Sequence, residues 1–126
     1  MEPLFLFSLA SRHAQWASVR QAAISGNIAN ANTPGFKAAD VEPFTAVLDK
    51  THLSMNLTSA RHMDVANAGA PTTKVSKAEG WDVNHSGNTV SLEQEMLKAD
   101  EVNRAFSLNT NVVRSFQRMM LASVKT

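Results

Sequence analysis

Four histidines, His13, His52, His62 and His85, are the side chains here best suited to proton transfer or metal binding. Their spacing serves neither. None stands four residues from another, so no helix face presents a ligand pair, and no cysteine is available to complete a metal site. His62 lies between Arg61 and Met63 with Asp64 beyond, but side chains adjacent in sequence rarely converge on one atom. The acidic pairs Glu93/Glu95 and Asp100/Glu101 read as the solvated opening of a helix. The chain carries no glycine-rich phosphate loop and no Gly-x-Ser-x-Gly elbow. The triplets Asn56-Leu57-Thr58 and Asn84-His85-Ser86 have the form of glycosylation acceptors, which have meaning only in a eukaryotic secretory setting. The residues point away from an enzyme and away from any cofactor.

Charge excludes a second class. Twelve basic and eleven acidic residues leave a formal charge of +1, dispersed along the chain, with a pI of about 8.2. A nucleic-acid binder concentrates Lys and Arg on one face and runs above a pI of about 9. The opening Leu4-Phe5-Leu6-Phe7-Ser8-Leu9 is apolar but has an acid, Glu2, and no basic residue before it. That is unlike a cleaved secretory signal, and the run falls short of the 18 or so apolar residues of a membrane span. It reads as a core-facing first turn or a docking patch.

The strongest local signal is structural. Asn27-Ile28-Ala29-Asn30-Ala31-Asn32-Thr33-Pro34-Gly35-Phe36 closes a long amphipathic segment. Pro34 fixes φ and pushes Thr33 out of the helical region, and Pro-Gly suits the centre of a type II turn with Gly35 at positive φ. Asn30 and Asn32 can bond the freed backbone of the last helical turn, and buried asparagine is a known device for fixing helix register. Before this turn, Phe5, Leu6, Leu9, Trp16, Ala23 and Ile24 share one side of a helix. His13, Arg20 and Asn27 interrupt that side. His13 is expected to be a packing residue, and Gly26 to mark a fraying end or close approach of another backbone.

At the other end, Leu92, Ala99, Phe106, Val113 and Met120 recur every seven residues, flanked by Met96, Val102, Phe116 and Val124. Such a column predicts a long helix packing in coiled-coil fashion. Ser91 with Gln94 has the form of a capping box, early acids and late bases suit the helix dipole, and neither Gly nor Pro follows Gly87. Between the helices, small and polar residues predominate. Val41 to Leu48 can form a short helix or strand, and Trp81-Asp82-Val83 a strand leading to a Ser86-Gly87 turn. The expected fold is mainly α: a pair of long antiparallel terminal helices with an irregular or partly β middle. The parts are 1–36, helix and turn; 37–90, a middle segment extended or disordered in the monomer; and 91–126, the coiled-coil helix.

Asn27, Ile28, Ala29, Asn30, Thr33, Pro34, Gly35 and Phe36 match, position by position, the signature of the bacterial flagellar rod and hook family. Gly87-Asn88-Thr89-Val90-Ser91-Leu92-Glu93-Gln94-Glu95-Met96 resembles the stretch that opens the C-terminal helix in its short proximal-rod members. Arg61-His62-Met63 resembles their Pro-Arg-His-Ile element, with Ala60 in place of proline. The resemblance implies a structural subunit of the proximal rod, part of the drive shaft that transmits motor torque. It implies synthesis in the cytoplasm, passage through the flagellar type III export gate without a cleaved signal, and a place in the periplasmic rod. It also implies as partners other copies of the chain, the rod proteins FlgC, FlgF and FlgG, and the adaptor FliE. Phe44 and Leu48, in Phe44-Thr45-Ala46-Val47-Leu48, resemble the Phe-x-x-x-apolar element held to dock on the export gate; packing within the folded subunit is the other reading. Leu92, Met96, Ala99, Val102, Phe106, Val113, Phe116 and Met120 form the expected assembly seam. A non-flagellar helical-hairpin adaptor or a type III export chaperone is the alternative, although such proteins need no Thr-Pro-Gly-Phe turn and are often strongly acidic.

Overall fold

Pro3 occupies the first helical position, where its missing N–H costs nothing. From it a 27-residue helix, α1, runs Pro3–Ala29. The chain then forms a short strand β1 (Ala39–Val41), a short helix α2 (Phe44–Asp49), a second strand β2 (Val75–Lys77) and a 33-residue helix α3 (Leu92–Val124). This is a computed structural model, and it describes residues 3–49, 75–77 and 83–124. The Arg61-His62-Met63 element, His52, Trp81 and Asp82 lie outside the described residues.

The long helices pack antiparallel. Phe7 meets Phe116 edge-on, with ring centroids 5.8 Å apart. Further along, Asn109 donates to the Ala10 carbonyl, Arg20 pairs with Glu101, and Asn27 reaches Glu95. Trp16, Ala17 and Ile24 of α1, Val41 of β1, Val47 of α2 and Val102 of α3 make the core, with Val19, Ala23, Phe44 and Ala99 packed against it. β1 and β2 pair antiparallel, Ala39 opposite Lys77 and Val41 opposite Val75. β1 lies against the half of α1 that ends at Ala29, through Arg20 and Asn27, and α2 packs on the middle of α1 through Phe44 against His13 and Trp16. Mainly helical, with a strand-containing middle, the architecture is the one the periodicities predict. Pro43 divides the Val41–Leu48 segment: its carbonyl accepts from Ala46 and Val47, so α2 starts where β1 stops.

Several details depart from the sequence reading. Phe5, placed on the packed side of α1, is 58% exposed. Of the seven-residue column and its flanks, only Val102 is buried. Ala99 packs on the core, Val113 and Phe116 are half-buried, and Leu92, Met96, Phe106 and Met120 are exposed. The line that α1 meets, Glu95, Val102, Asn109 and Phe116, also recurs every seven residues but starts three positions later, about 60° around α3 from the predicted column. Among the described residues nothing lies within 4 Å of where a Cβ on Gly26 would stand, so none of their backbone makes the expected close approach. The Ser91 hydroxyl bonds the Glu93 carboxylate (3.0 Å) instead of entering a capping box with Gln94. Ser91 still takes the cap position, its carbonyl accepting from Glu95 N. Glu93's own N–H and the Ser91 hydroxyl hold the Glu93 carboxyl below its usual range, as an acid in a first helical turn prefers.

Candidate functional site

The turn predicted at Pro34-Gly35 forms. Phe36 N donates to the Thr33 carbonyl, with Gly35 at φ 73° in the third position, where a type II turn needs a left-handed residue. Asn30 caps the end of α1 by donating to the Gly26 carbonyl (2.8 Å), and Thr33 donates to Asn30 Oδ1. Asn32 is exposed. A second turn runs Asn84 to Asn88: Gly87 N donates to Asn84 O and Asn84 N to Asn88 O, with Gly87 at φ 77°. This is a type I turn closed by a glycine bulge. The two glycines face each other, and a Cβ on Gly87 would lie 3.7 Å from Gly35 Cα.

Asn88 joins the two turns. It is 1% exposed, and its Nδ2 lies 2.9 Å from each of the Asn30, Ala31 and Thr33 carbonyls. Its Oδ1 accepts from Val90 N. Around it Gly35 N donates to Ser86 O, Thr89 N to Phe36 O, and Ala38 N to Thr89 Oγ1. Carbonyls freed at the end of α1 are thus satisfied by one side chain from the segment that opens α3, so the C-terminal end of α1 is fastened to the start of α3.

Beside this lies a charged layer. Asn27, 1% exposed, donates to the Ala39 carbonyl (2.7 Å) and to Glu95 Oε2 (2.9 Å), and accepts from Ala39 N (2.9 Å). Its amide therefore pairs with β1 as a neighbouring strand would, while also gripping α3. Glu95 is itself 1% exposed, which corrects the reading of Glu93/Glu95 as a solvated face. A buried carboxylate needs a cation and a donor. Lys98 Nζ, 3.0 Å from both Glu95 Oε1 and Asp40 Oδ2, supplies the one and Asn27 the other. Arg20 reaches Asp40 (3.5 Å) and Glu101 (3.2 Å), with its guanidinium 5.3 Å from the Trp16 ring centroid. Burial works to lower the Lys98 ammonium, but Glu95 and Asp40 raise it above its ordinary value. Burial likewise works to raise Asp40; the Val41 N–H, Lys98 and Arg20 outweigh it and hold the carboxyl low. Arg20 and Asn27, interruptions in the apolar side of α1, are thus where β1 and α3 attach.

His13 is a packing residue as expected, edge-on to Phe44 (4.8 Å) and near Trp16 (5.6 Å). Burial lowers its pKa. Trp16 Nε1 donates to the Glu42 carbonyl (2.8 Å). Phe44 and Leu48 are half-buried on α2, so the folded subunit already uses Phe44.

Sequence reasoning placed the structural asparagines in the first signature but missed Asn88, Glu95, Lys98, Asp40 and Asn109 as partners. A Gly-Asn beside a turn signal hinted at Asn88; a buried Glu within an acidic helix opening gave no sign. Among the described residues no three His, Asp or Glu gather to hold a metal, and no helix is long and apolar enough to cross a membrane. The signature residues Ile28, Ala29, Pro34 and Gly35 are exposed and Phe36 half-buried. What the arrangement can do is mechanical: it locks two helices at one end and leaves their apolar flanks open at the other.

A family model described as flagella basal body rod protein matches residues 12–37, the helix and turn just described. A flagellar basal body rod protein FlgB from Agrobacterium fabrum is 44% identical, over 99% of this chain and 96% of its own length. The protein of that name from Yersinia enterocolitica is 36% identical over 60% of this chain and 61% of its own. The one from Proteus mirabilis strain HI4320 is 28% identical over 82% and 81%.

Proposed function

The chain belongs to the FlgB family of flagellar basal body rod proteins, and on that premise we propose that it is a structural, non-catalytic subunit of the proximal rod, helping to carry motor torque along the shaft. The observation that carries this reading is the full-length similarity to a rod protein in a chain whose long helices leave much apolar surface unpaired. Leu97, Leu108, Leu121 and Val124 are each at least 60% exposed, more than one isolated helix pair leaves in water without a partner. Other copies, together with FlgC, FlgF, FlgG and FliE, cover these surfaces in the assembled rod. The seam from Leu92 to Met120 serves such contacts at its exposed members Leu92, Met96, Phe106 and Met120. The signature residues 27–36 hold the angle at which each subunit's helix pair meets the rest of the chain. The three-part division at 1–36, 37–90 and 91–126 follows that use.

The subunit is made in the cytoplasm, exported by the flagellar type III system, and placed in the periplasmic part of the basal body. Phe44 and Leu48 stand four residues apart on α2, on one side of a helical turn. Because Phe44 packs on His13 and Trp16 once folded, docking at the export gate would use the chain before it folds. Phe44→Ala with Leu48→Ala separates the possibilities: protein stranded in the cytoplasm supports docking, whereas normal export without rod assembly shows a purely structural pair. Electron microscopy of basal bodies from cells with this gene deleted and restored tests the main reading. Loss of the rod on deletion, and its return on restoration, is the expected result; intact rods without the gene contradict it.

A further inference from the structure

α2 is held to α1 by a cluster of rings. With six residues it is too short to keep its shape in water unaided, so its order depends on what it docks against. Val47 enters the core, and Phe44 packs on His13 at 4.8 Å and on Trp16 at 5.8 Å. Trp16 fixes the approach by donating from Nε1 to the Glu42 carbonyl, just before Pro43 opens the helix. His13 and Trp16 are themselves neighbours, with ring centroids 5.6 Å apart.

His13 is the titratable member of this cluster, and its surroundings suit the neutral ring. Its Nδ1 is buried and has no hydrogen-bond partner among the described residues. A neutral imidazole with its proton on Nε2 leaves Nδ1 as a bare acceptor. The imidazolium makes it a charged donor, whose burial without an acceptor costs far more. The charges nearby do not repair this. Arg20 already lies 5.3 Å from the centre of the Trp16 ring, so a second cation on that ring meets a like charge. Asp40 of β1 and Glu101 of α3 are engaged by Arg20 itself. Arg12 adjoins His13 on α1 and adds positive charge. Glu42 and Asp49 bracket the α2 segment, and neither bonds His13 Nδ1.

We propose that His13 makes the docking of α2 acid-sensitive: protonating the ring loosens Phe44 and Val47 from α1 and presents that segment, while the helix pair stays closed. Burial holds the His13 pKa below its ordinary value of 6.5. Above that value the ring is neutral whether α2 is docked or not, and docking has its full strength. As pH falls below it, the undocked form takes up the proton first, and docking weakens until the docked ring is protonated too. The closed end does not share this response. There the Asp40 carboxyl is held below its ordinary range, so its pairs with Lys98 and Arg20 stay ionised while His13 titrates. The inference concerns the free subunit and stands apart from the rod reading.

The chain has no native cysteine, so single introduced thiols report on chosen contacts. Val47 and Val102 are 7% and 3% exposed; Val47→Cys reports on α2, and Val102→Cys on the α1–α3 contact. Each thiol is reacted with dithiodipyridine at about pH 7.5 and about pH 5, either side of the ordinary histidine value. Each rate is divided by that of the same variant unfolded in urea at the same pH. The normalised rate for Val47→Cys should rise several-fold in acid, and that for Val102→Cys should not. Adding His13→Phe, which keeps a ring and removes the proton, should abolish the rise. In the unsubstituted protein, the His13 proton resonance should titrate with a lower midpoint folded than in urea. No rise, an equal rise with His13→Phe, Val102→Cys labelled in step with Val47→Cys, or a His13 midpoint as high folded as unfolded would each overturn the proposal. If His13→Phe fails to fold, the titration and the Val102→Cys comparison decide alone.

Discussion

The two ends of the helix pair are built on opposite principles. Where α1 stops and α3 starts, the contact is polar, buried and internally satisfied: Asn27, Asn88 and Glu95 are each 1% exposed and each is hydrogen-bonded. Where α1 starts and α3 stops, the Phe7–Phe116 pair and the Asn109 bond to the Ala10 carbonyl join the helices, and Phe5, Leu121 and Val124 stand open to solvent. The first end is specified by directional bonds that only this chain can complete. The second relies on apolar area, which any suitably shaped neighbour can cover. A subunit that must keep its own geometry and still join others needs both.

The sharpest way to break this contrast is at the closed end. Asn88→Ala removes the two N–H donors that three carbonyls share, together with the acceptor for Val90 N, and stability of the free subunit, measured by urea unfolding, should fall by about 3 kcal/mol. Glu95→Leu leaves Lys98 and Asn27 without their shared acceptor and should cost about 3 kcal/mol, since removing one partner strands the other. Gly35→Val forces a β-branched residue to φ near 73° and should cost about 2 kcal/mol, with Gly35→Asn clearly milder. If the two Gly35 variants unfold alike, something other than positive φ keeps glycine there.

The open end should answer differently. Phe106 is half-exposed in the single subunit, so Phe106→Asp should shift the free protein's unfolding by less than about 1 kcal/mol. In an assembled rod the same residue would face a neighbour, and a buried unpaired carboxylate there should abolish motility while the protein accumulates normally. Normal motility would mean that this stretch of the seam faces solvent even in the assembly.

How much of this was legible depends on the range of the interaction. Pro34-Gly35, the Ser86-Gly87 turn and the two long helices follow from local chemistry and periodicity. The Asn30 cap does as well, since its partner is one helical turn away. The partners of Asn88 and Asn27 lie across the chain, and nothing in a linear pattern tells a bridging asparagine from a surface one. Glu95 misled for the same reason, because only the fold brings Lys98, Asn27 and Asp40 around it. The seven-residue column gave the helix correctly but not the side that α1 covers, since α1 lies closer to the Glu95–Val102–Asn109 line.

Hydrogen exchange on the dilute monomer tests the contrast between the two ends most directly. Exchange slows where opening must break buried bonds and stays fast where helices fray. The account predicts slow amides in residues 24–30 and 95–103, and fast ones in 3–10 and 114–124. The fast group should become slow in purified basal bodies. Equal protection along both helices in a proven monomer would contradict it, because the open end would then need no neighbour to hold it.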